Sequence, residues 1–466
     1  MRLACKGYIQ KFLNASPFEL LCQMKNILVL GAGRSASALI SYLIKNAEAS
    51  DWHVTVGDVS EASAKDRVGA WSRAKAISFN MENSESSRTA IAQADVVISM
   101  IPASLHPLVA KLCLTEKKHL LTASYVSDEM KNLDAEAKAK GLLFLNECGL
   151  DPGIDHMSAM QVIDKIKSKG GTVISFESFT GGLIAPETDL ENPWRYKFTW
   201  NPRNVVLAGQ GTAKFLQENK FKYIPYQQLF ARTTPISVPN FGDYEGYANR
   251  DSLKYVEAYG LQDCKTILRG TLRYKGYCQA WNVLVQLGCC DDSYAMEGVG
   301  TMTHLDFIGS FLDVDKNIEG TICHRFSISP EGEEMKRLRW TGLFSEEKIG
   351  LEKGTPAQLL EHILNKKWKL VPGDKDFIVM WHRFTYLLNG EEKEIQAWLT
   401  TTGEDETQTA MAKTVGLPLA LACKLLLQDK IKIRGVAIPL QKEIYEPILI
   451  ELKQLGIRLE EKVNKG

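Results

Sequence analysis

Short continuous apolar runs, separated by helix-length segments of mixed polarity, dominate the chain from Met24 to about Leu150. Lys25 to Leu30, His53 to Val56, Lys75 to Phe79, Asp95 to Ile101, His119 to Tyr125 and Leu142 to Asn146 read as strands. Helices are predicted after the first strand through about Lys45, and at Ser60 to Arg73, Leu105 to Thr115 and Ser127 to Lys140. Strands that are apolar throughout need cover on both faces, and single helices between them supply it. The pattern predicts an α/β fold with a Rossmann-like, doubly wound parallel sheet.

Beyond Leu150 the pattern changes. A helix is predicted over Asp155 to Lys169 and a strand over Thr172 to Phe179, ending at Gly181 and Gly182. A long connection rich in aromatics and Pro follows, from Ile184 to Pro202, which suggests an α+β domain with functional loops. Helix at Glu347 to Leu370, strands at Phe377 to Phe384 and Glu394 to Thr401, and helices at Thr407 to Leu427 and Glu443 to Leu455 complete the reading. The expected organisation is an extension over 1–23, a dinucleotide-binding domain over 24–150, a second domain over 151–408 and a helical segment over 409–466. The first 23 residues show no core-forming periodicity and are read as a disordered or mis-assigned extension.

Composition narrows the function classes. Lys plus Arg number 56 and Asp plus Glu number 56 in 466 residues, so no global basic field is available for nucleic acid. The longest mostly apolar stretch, Val415 to Leu427, is interrupted by Pro418 and Lys424, and no membrane span is expected. The ten cysteines form no C-x-x-C pair and the eight histidines no H-x-x-x-H spacing, so no metal site is expected. Scattered thiols of this kind fit a reduced, cytoplasmic setting.

Gly31-Ala32-Gly33-Arg34-Ser35-Ala36 fits G-x-G-x-x-A after a strand and at a helix start. The first Gly permits a tight turn, the second a close approach to pyrophosphate, and the small third residue close helix–strand packing. Asp58 closes the next strand, where an acid accepts hydrogen bonds from an adenosine ribose. Other strand ends bring Ser99, Thr122, Ser124, Tyr125 and Asp151 toward the ligand edge of such a sheet. Arg250, Arg269 and Arg273 lie in loop or strand-end contexts; guanidinium forks suit carboxylates, but spacing alone does not distinguish them from surface charges.

Gly149-Leu150-Asp151-Pro152-Gly153-Ile154-Asp155-His156, Asn192-Pro193-Trp194-Arg195-Tyr196-Lys197-Phe198-Thr199-Trp200, Asn249-Arg250-Asp251-Ser252 and Arg269-Gly270-Thr271-Leu272-Arg273-Tyr274 occur in that order. Together with Gly181-Gly182-Leu183, Ala185-Pro186-Glu187 and Met411-Ala412-Lys413-Thr414-Val415-Gly416, they make the chain resemble the glutamate-forming saccharopine dehydrogenase (saccharopine reductase) family from about Met24 onward. The resemblance implies a Rossmann domain, a substrate-binding and dimerisation domain and a C-terminal helical return, in a cytoplasmic homodimer. It also implies an NAD(P)-linked oxidoreductase of lysine metabolism, interconverting saccharopine with L-glutamate and 2-aminoadipate 6-semialdehyde by hydride transfer at a secondary amine and imine hydrolysis. By match to the family's motifs, Ser124, Tyr125, Asp151, Arg250, Thr271, Leu272 and Arg273 are expected to contact substrate. Gly31, Ala32, Gly33, Arg34, Ser35, Asp58, Val59, Ser60, Ile101, Ala123, Ser124, Leu150, Asp151 and Pro152 are expected to contact cofactor. Tyr125, Asp151 and His156 are the candidate acid–base groups. Thr180 stands where several relatives carry Cys, so a thiol mechanism is not expected here. Asp58, with no base before Lys65, predicts NAD over NADP, although Arg34 offers a counterweight for a phosphate. Rival readings are a carboxynorspermidine- or homospermidine-synthase-like reductive coupling of amines and a non-catalytic nucleotide-binding scaffold.

Overall fold

The computed structural model describes residues 24–208, 210–313 and 316–465; the expected extension over 1–23 lies outside them. Two compact units emerge, one from the chain up to Ile154 plus Ala412–Ile444, the other from Asp155–Met411 plus Tyr445–Gly466. The segment 409–466, expected as one piece, is therefore divided between them.

The first unit is built on a seven-stranded, all-parallel sheet in the order β15-β6-β5-β4-β1-β2-β3. Its strands are β1 Lys25–Leu30, β2 Trp52–Asp58, β3 Ala74–Ser78, β4 Val96–Ser99, β5 His119–Thr122, β6 Leu143–Leu145 and β15 Gly435–Ala437. Ile27 to Leu30, Val96 to Ile98 and Leu143 to Leu145 are buried throughout, as continuous apolar runs require in a sheet covered on both faces. Two elements escaped the sequence reading. The helix Ser84–Ala92 is Ser-rich and polar, starts on an Asn83 cap to the Ser86 amide, and is held by buried Ile91. β15 has only three residues and pairs in register with β6, which no local pattern could announce. The single helix expected over 127–140 is two short ones, Asp128–Lys131 and Asp134–Ala139.

The helix Ala410–Leu427 falls where helix was expected over Thr407 to Leu427. It runs through Pro418 and Lys424 unbroken, and by length and composition it could cross a membrane. Most of it is buried inside the structure, which is how a core helix passes the same test. A Cβ at its Gly416 would come within 2.8 Å of the Leu39 amide nitrogen, so glycine there permits close packing on the helix Ser37–Lys45.

The second unit carries a mixed nine-stranded sheet. Its strands are β7 Thr172–Ile184, β8 Ala213–Gln217, β9 Lys220–Ile224, β10 Thr233–Val238, β11 Gly242–Ala248, β12 Thr266–Tyr274, β13 Asp376–Leu388, β14 Glu391–Thr402 and β16 Leu459–Lys465. The order is β10-β11-β12-β7-β13-β14-β16, with β8 beside β12 and β9 beside β8. Only β7 and β12 run parallel within that order; the other pairs are antiparallel. Gly181 and Gly182 do not end β7 but lie inside it. A Cβ on Gly181 would come within 2.9 Å of the Leu272 carbonyl, so the glycine marks the close approach of β12. The long connection after β7 is pinned by buried Trp194, Tyr196 and Phe198, which pack with Trp281 and Trp368. Buried Lys197 fixes it further, reaching Asp189 and Asp374 at 2.8 Å each.

Candidate active site

In the first unit the Gly-rich turn joins β1 to the helix Ser37–Lys45. Gly31 has φ +99°, and a Cβ there would lie 3.0 Å from the Met100 carbonyl, so the turn lies against the end of β4 only with glycine. Gly33 has open space where its Cβ would be, and both it and Arg34 are exposed. That bare backbone at a helix start fits a dinucleotide's pyrophosphate. Asp58 has a part not foreseen. Its Oδ2 accepts the Ala32 amide at 2.8 Å and its Oδ1 the Ser60 amide at 2.9 Å. Arg67 Nε donates to the Ala32 carbonyl at 3.3 Å. The acid thus braces the turn, while Val59 and Ser60 beside it are exposed.

At the ends of the central strands, Ser99 stands opposite Thr122 and both are buried. His106, the first residue of the helix His106–Glu116, joins them. Its Nδ1 lies 2.9 Å from Ser99 Oγ, and its Nε2 lies 2.9 Å from Ser124 Oγ and 3.1 Å from Thr122 Oγ1. The loop after β5 is clasped to the segment after β6: Glu147 N donates to the Ser124 carbonyl at 3.0 Å and Val126 N to Glu147 Oε1 at 3.0 Å. Next comes a tight turn in which Gly149 N donates to the Pro152 carbonyl at 2.9 Å and Ile154 N to the Gly149 carbonyl at 2.8 Å. Gly153, at φ +149°, leaves no room for a Cβ against Gly149. The two clasps bring Tyr125 and Asp151 together, and the Tyr125 hydroxyl donates to Asp151 Oδ1 at 3.3 Å. Ile101, Ala123, Ser124, Tyr125 and Asp151 are all half-buried, whereas Leu150 and Pro152 are buried.

In the second unit, β12 carries Arg269, Thr271, Leu272 and Arg273. Arg273 is only 4% exposed, yet no carboxylate among the described residues forms an ion pair with it. Its Nη1 donates to the Leu272 carbonyl at 2.9 Å and its Nε has no partner. The rings of Tyr196, Tyr277 and Tyr247 surround the guanidinium at 5.0, 5.2 and 5.8 Å. Burial holds these phenols neutral and pushes Tyr196 up to about 12. Glu245 is the register partner of Arg273 on β11, but its Oε1 accepts the Cys278 amide at 2.6 Å. The buried hydroxyls of Thr180 and Thr199 also lack partners, and Thr180 pairs with Thr271 across β7 and β12. An unsatisfied buried polar group costs about 1–3 kcal/mol, so several on neighbouring elements point to a polar ligand.

The other expected residues divide. Arg250 is exposed at φ +50°, in a loop whose carbonyl accepts the Lys214 amide. His156 is wholly buried in the second unit's core, its Nδ1 2.5 Å from the Tyr259 hydroxyl and 3.7 Å from Asp155. His156 thus sits among core side chains, whereas Tyr125 and Asp151 are half-buried. Sequence reasoning missed His106 and the three tyrosines around Arg273. The one available signal was the aromatic density near Trp194 to Trp200.

The comparisons with known proteins agree with this architecture. A family model described as the saccharopine dehydrogenase NADP binding domain matches residues 27–145, and one described as the saccharopine dehydrogenase C-terminal domain matches residues 149–457. The chain is 33% identical over 452 residues to the saccharopine dehydrogenase [NADP(+), L-glutamate-forming] of Saccharomyces cerevisiae, covering 94% of this chain and 99% of that one. It is 35% identical over 444 residues to the mitochondrial alpha-aminoadipic semialdehyde synthase of Bos taurus, covering 93% of this chain but 47% of that protein. It thus spans about half the length of that relative. The solved structure of the apo yeast saccharopine dehydrogenase superposes with a TM-score of 0.84 at 32% identity, over 94% of this chain and all of that one. A homospermidine synthase from Legionella pneumophila shares the fold at a TM-score of 0.54, with 9% identity over 95% of this chain and 92% of that one, a likeness of fold alone. The expectation of NAD as primary cofactor finds no support: the matched domain is an NADP-binding one, and both Asp58 oxygens are engaged by backbone amides.

Proposed function

The chain belongs to the saccharopine dehydrogenase family, and we propose that it interconverts saccharopine with L-glutamate and 2-aminoadipate 6-semialdehyde, with NADP(H) as cofactor. Oxidation of the C–N bond gives an imine; water adds, and the C–N bond breaks to release the amino acid and the aldehyde. Balanced, saccharopine, water and NADP⁺ yield glutamate, semialdehyde, NADPH and a proton. When bound, the cofactor takes the hydride from the carbon attached to nitrogen.

The observation that carries the reading is Arg273, buried and without an internal counter-ion. Saccharopine brings carboxylates, and a charge-assisted hydrogen bond contributes roughly 1.5–3 kcal/mol. Asp151 is the group suited to take the proton that the secondary ammonium loses before oxidation, and Tyr125, on the same hydrogen bond, to return one to the leaving nitrogen. Gly31 to Ser35 would hold the pyrophosphate. Arg34, exposed beside the turn, supports NADP(H) by offering a counter-charge to a 2′-phosphate. A homodimer belongs to the same reading, supported by the family resemblance alone.

The test is to incubate the protein with saccharopine and either NADP⁺ or NAD⁺, following the reduced nicotinamide near about 340 nm and glutamate by mass spectrometry. Equimolar NADPH and glutamate are expected, with kcat/KM favouring NADP⁺. Absence of glutamate with both cofactors would overturn the activity, and a preference for NAD⁺ would overturn the cofactor choice.

A further inference from the structure

His106 contributes to no motif and stands outside the resemblance-based assignments, yet it touches three of the hydroxyls at the ends of β4 and β5. We propose that His106 is a positioning residue that fixes the Ser124 hydroxyl as a hydrogen-bond donor toward saccharopine. The inference rests on the functional reading above, in which Ser124 contacts substrate.

Protons and lone pairs around the ring are limited. One face of the imidazole is committed: Nδ1 meets Ser99 Oγ at 2.9 Å, on a serine with no exposure. The other nitrogen, Nε2, is shared by two hydroxyls, Ser124 Oγ at 2.9 Å and Thr122 Oγ1 at 3.1 Å. Thr122 Oγ1 also receives the Ser124 amide at 3.3 Å. The ring is neutral at physiological pH, because burial lowers it from 6.5 to about 4. A neutral ring offers one N–H and one lone pair. If Nε2 is the lone pair, it accepts from one of the two hydroxyls, and Thr122, nearly without exposure, has fewer other partners to donate to. If Nε2 carries the proton, it donates to these oxygens and takes no hydroxyl proton at all. With the proton on Nε2, or with Thr122 as the donor to an Nε2 lone pair, the Ser124 proton is left to point elsewhere, and Ser124 is the half-buried member of the pair. The ring therefore anchors the oxygen and leaves the hydrogen for a ligand.

The backbone makes the anchor stiff. Ser99 and Thr122 are opposed in the parallel β4–β5 register, and the Ser124 carbonyl accepts the Glu147 amide. His106 itself is held by the first turn of its helix, with Val109 and Ala110 of the same helix fully buried. A side chain tied at both ring nitrogens to the ends of adjacent strands has little rotational freedom, which is what positioning a donor requires.

A double-mutant cycle tests this, with saccharopine kinetics in the full chain. S124A and H106L should each lower kcat/KM for saccharopine about ten-fold or more, and H106L should add less than about two-fold in the S124A background. H106Q, which keeps a donor and an acceptor at the end of the side chain, should recover to within about three-fold of wild type. NADPH affinity and melting temperature should change little in H106Q. Additive losses, or wild-type kinetics in both H106L and H106Q, would overturn the proposal. A second arm does not depend on turnover. In ¹⁵N spectra of histidine-labelled protein, S124A should shift the His106 Nε2 resonance and leave the ring neutral at pH 6; an unmoved resonance would overturn the link to Ser124. If wild type shows no saccharopine turnover while this link is present, it is the activity reading that fails and not the geometry.

Discussion

Two arginines on one strand make the instructive contrast. Arg269 and Arg273 both lie on β12, on the same face by the strand's two-residue repeat, and they are 6% and 4% exposed. Arg269 pairs with Asp155 and stacks over Tyr255 at 4.3 Å, in a region where His156, Tyr259, Ser158 and His382 are hydrogen-bonded to one another in pairs. Arg273 has three tyrosine rings, one backbone carbonyl and an unpartnered Nε. Burying a charge is costly unless it is paired. The first arginine meets that cost inside the fold; the second does not, which supports the proposal that a substrate carboxylate pairs with it.

The largest expected effect is on the structural side. Arg269→Ala removes the buried cation that pairs with Asp155, which should destabilise the second unit by about 3–5 kcal/mol in urea unfolding. Arg273→Ala should change stability by much less, because its removal orphans no carboxylate. Equal stability losses in the two variants would erase the distinction.

Acid should probe the same region next. His382 has no exposure, lies 2.7 Å from Ser158 Oγ, and is lowered by burial from 6.5 to about 4. The unfolded chain therefore binds a proton that the folded chain refuses between those two values. Its contribution is fully present above about pH 6.5 and is lost as pH falls toward 4, to a limit of about 3 kcal/mol. His382→Phe should flatten that part of the stability–pH curve. A slope unchanged by the substitution would place the acid sensitivity elsewhere.

The smallest effect concerns geometry at the recognition side. Arg273→Lys keeps the charge but loses the planar fork, and it should raise KM for saccharopine about ten-fold with melting temperature unchanged. An unaltered KM would mean that point charge alone suffices.

Much of this was legible in the sequence, and the parts that were not share a cause. The Gly31 to Ala36 turn and the strands of the first sheet are local patterns, so periodicity found them. Asp58 was found as well, but not its bonds to the Ala32 and Ser60 amides, which depend on a backbone path that residue types do not encode. Gly181 and Gly182 looked like a strand end, yet both lie inside β7, and Gly181 is where β12 presses on it. Arg269 and Arg273 are indistinguishable by spacing, since the acid that separates them, Asp155, is 114 residues away. His106 and His156 exchanged significance for the same reason: one joins strand ends beside Ser124, the other is enclosed by Tyr259 and Tyr255.

Arg273, buried without a counter-ion, is proposed to take a substrate carboxylate. The most direct test of that pairing is kcat/KM for saccharopine-dependent NADPH formation in wild type and Arg273→Ala, with NADPH affinity measured on the same preparations. A loss of roughly ten- to a hundred-fold in kcat/KM is expected, at about 1.4 kcal/mol per decade, with NADPH affinity unchanged. Saccharopine kinetics indistinguishable from wild type would contradict it.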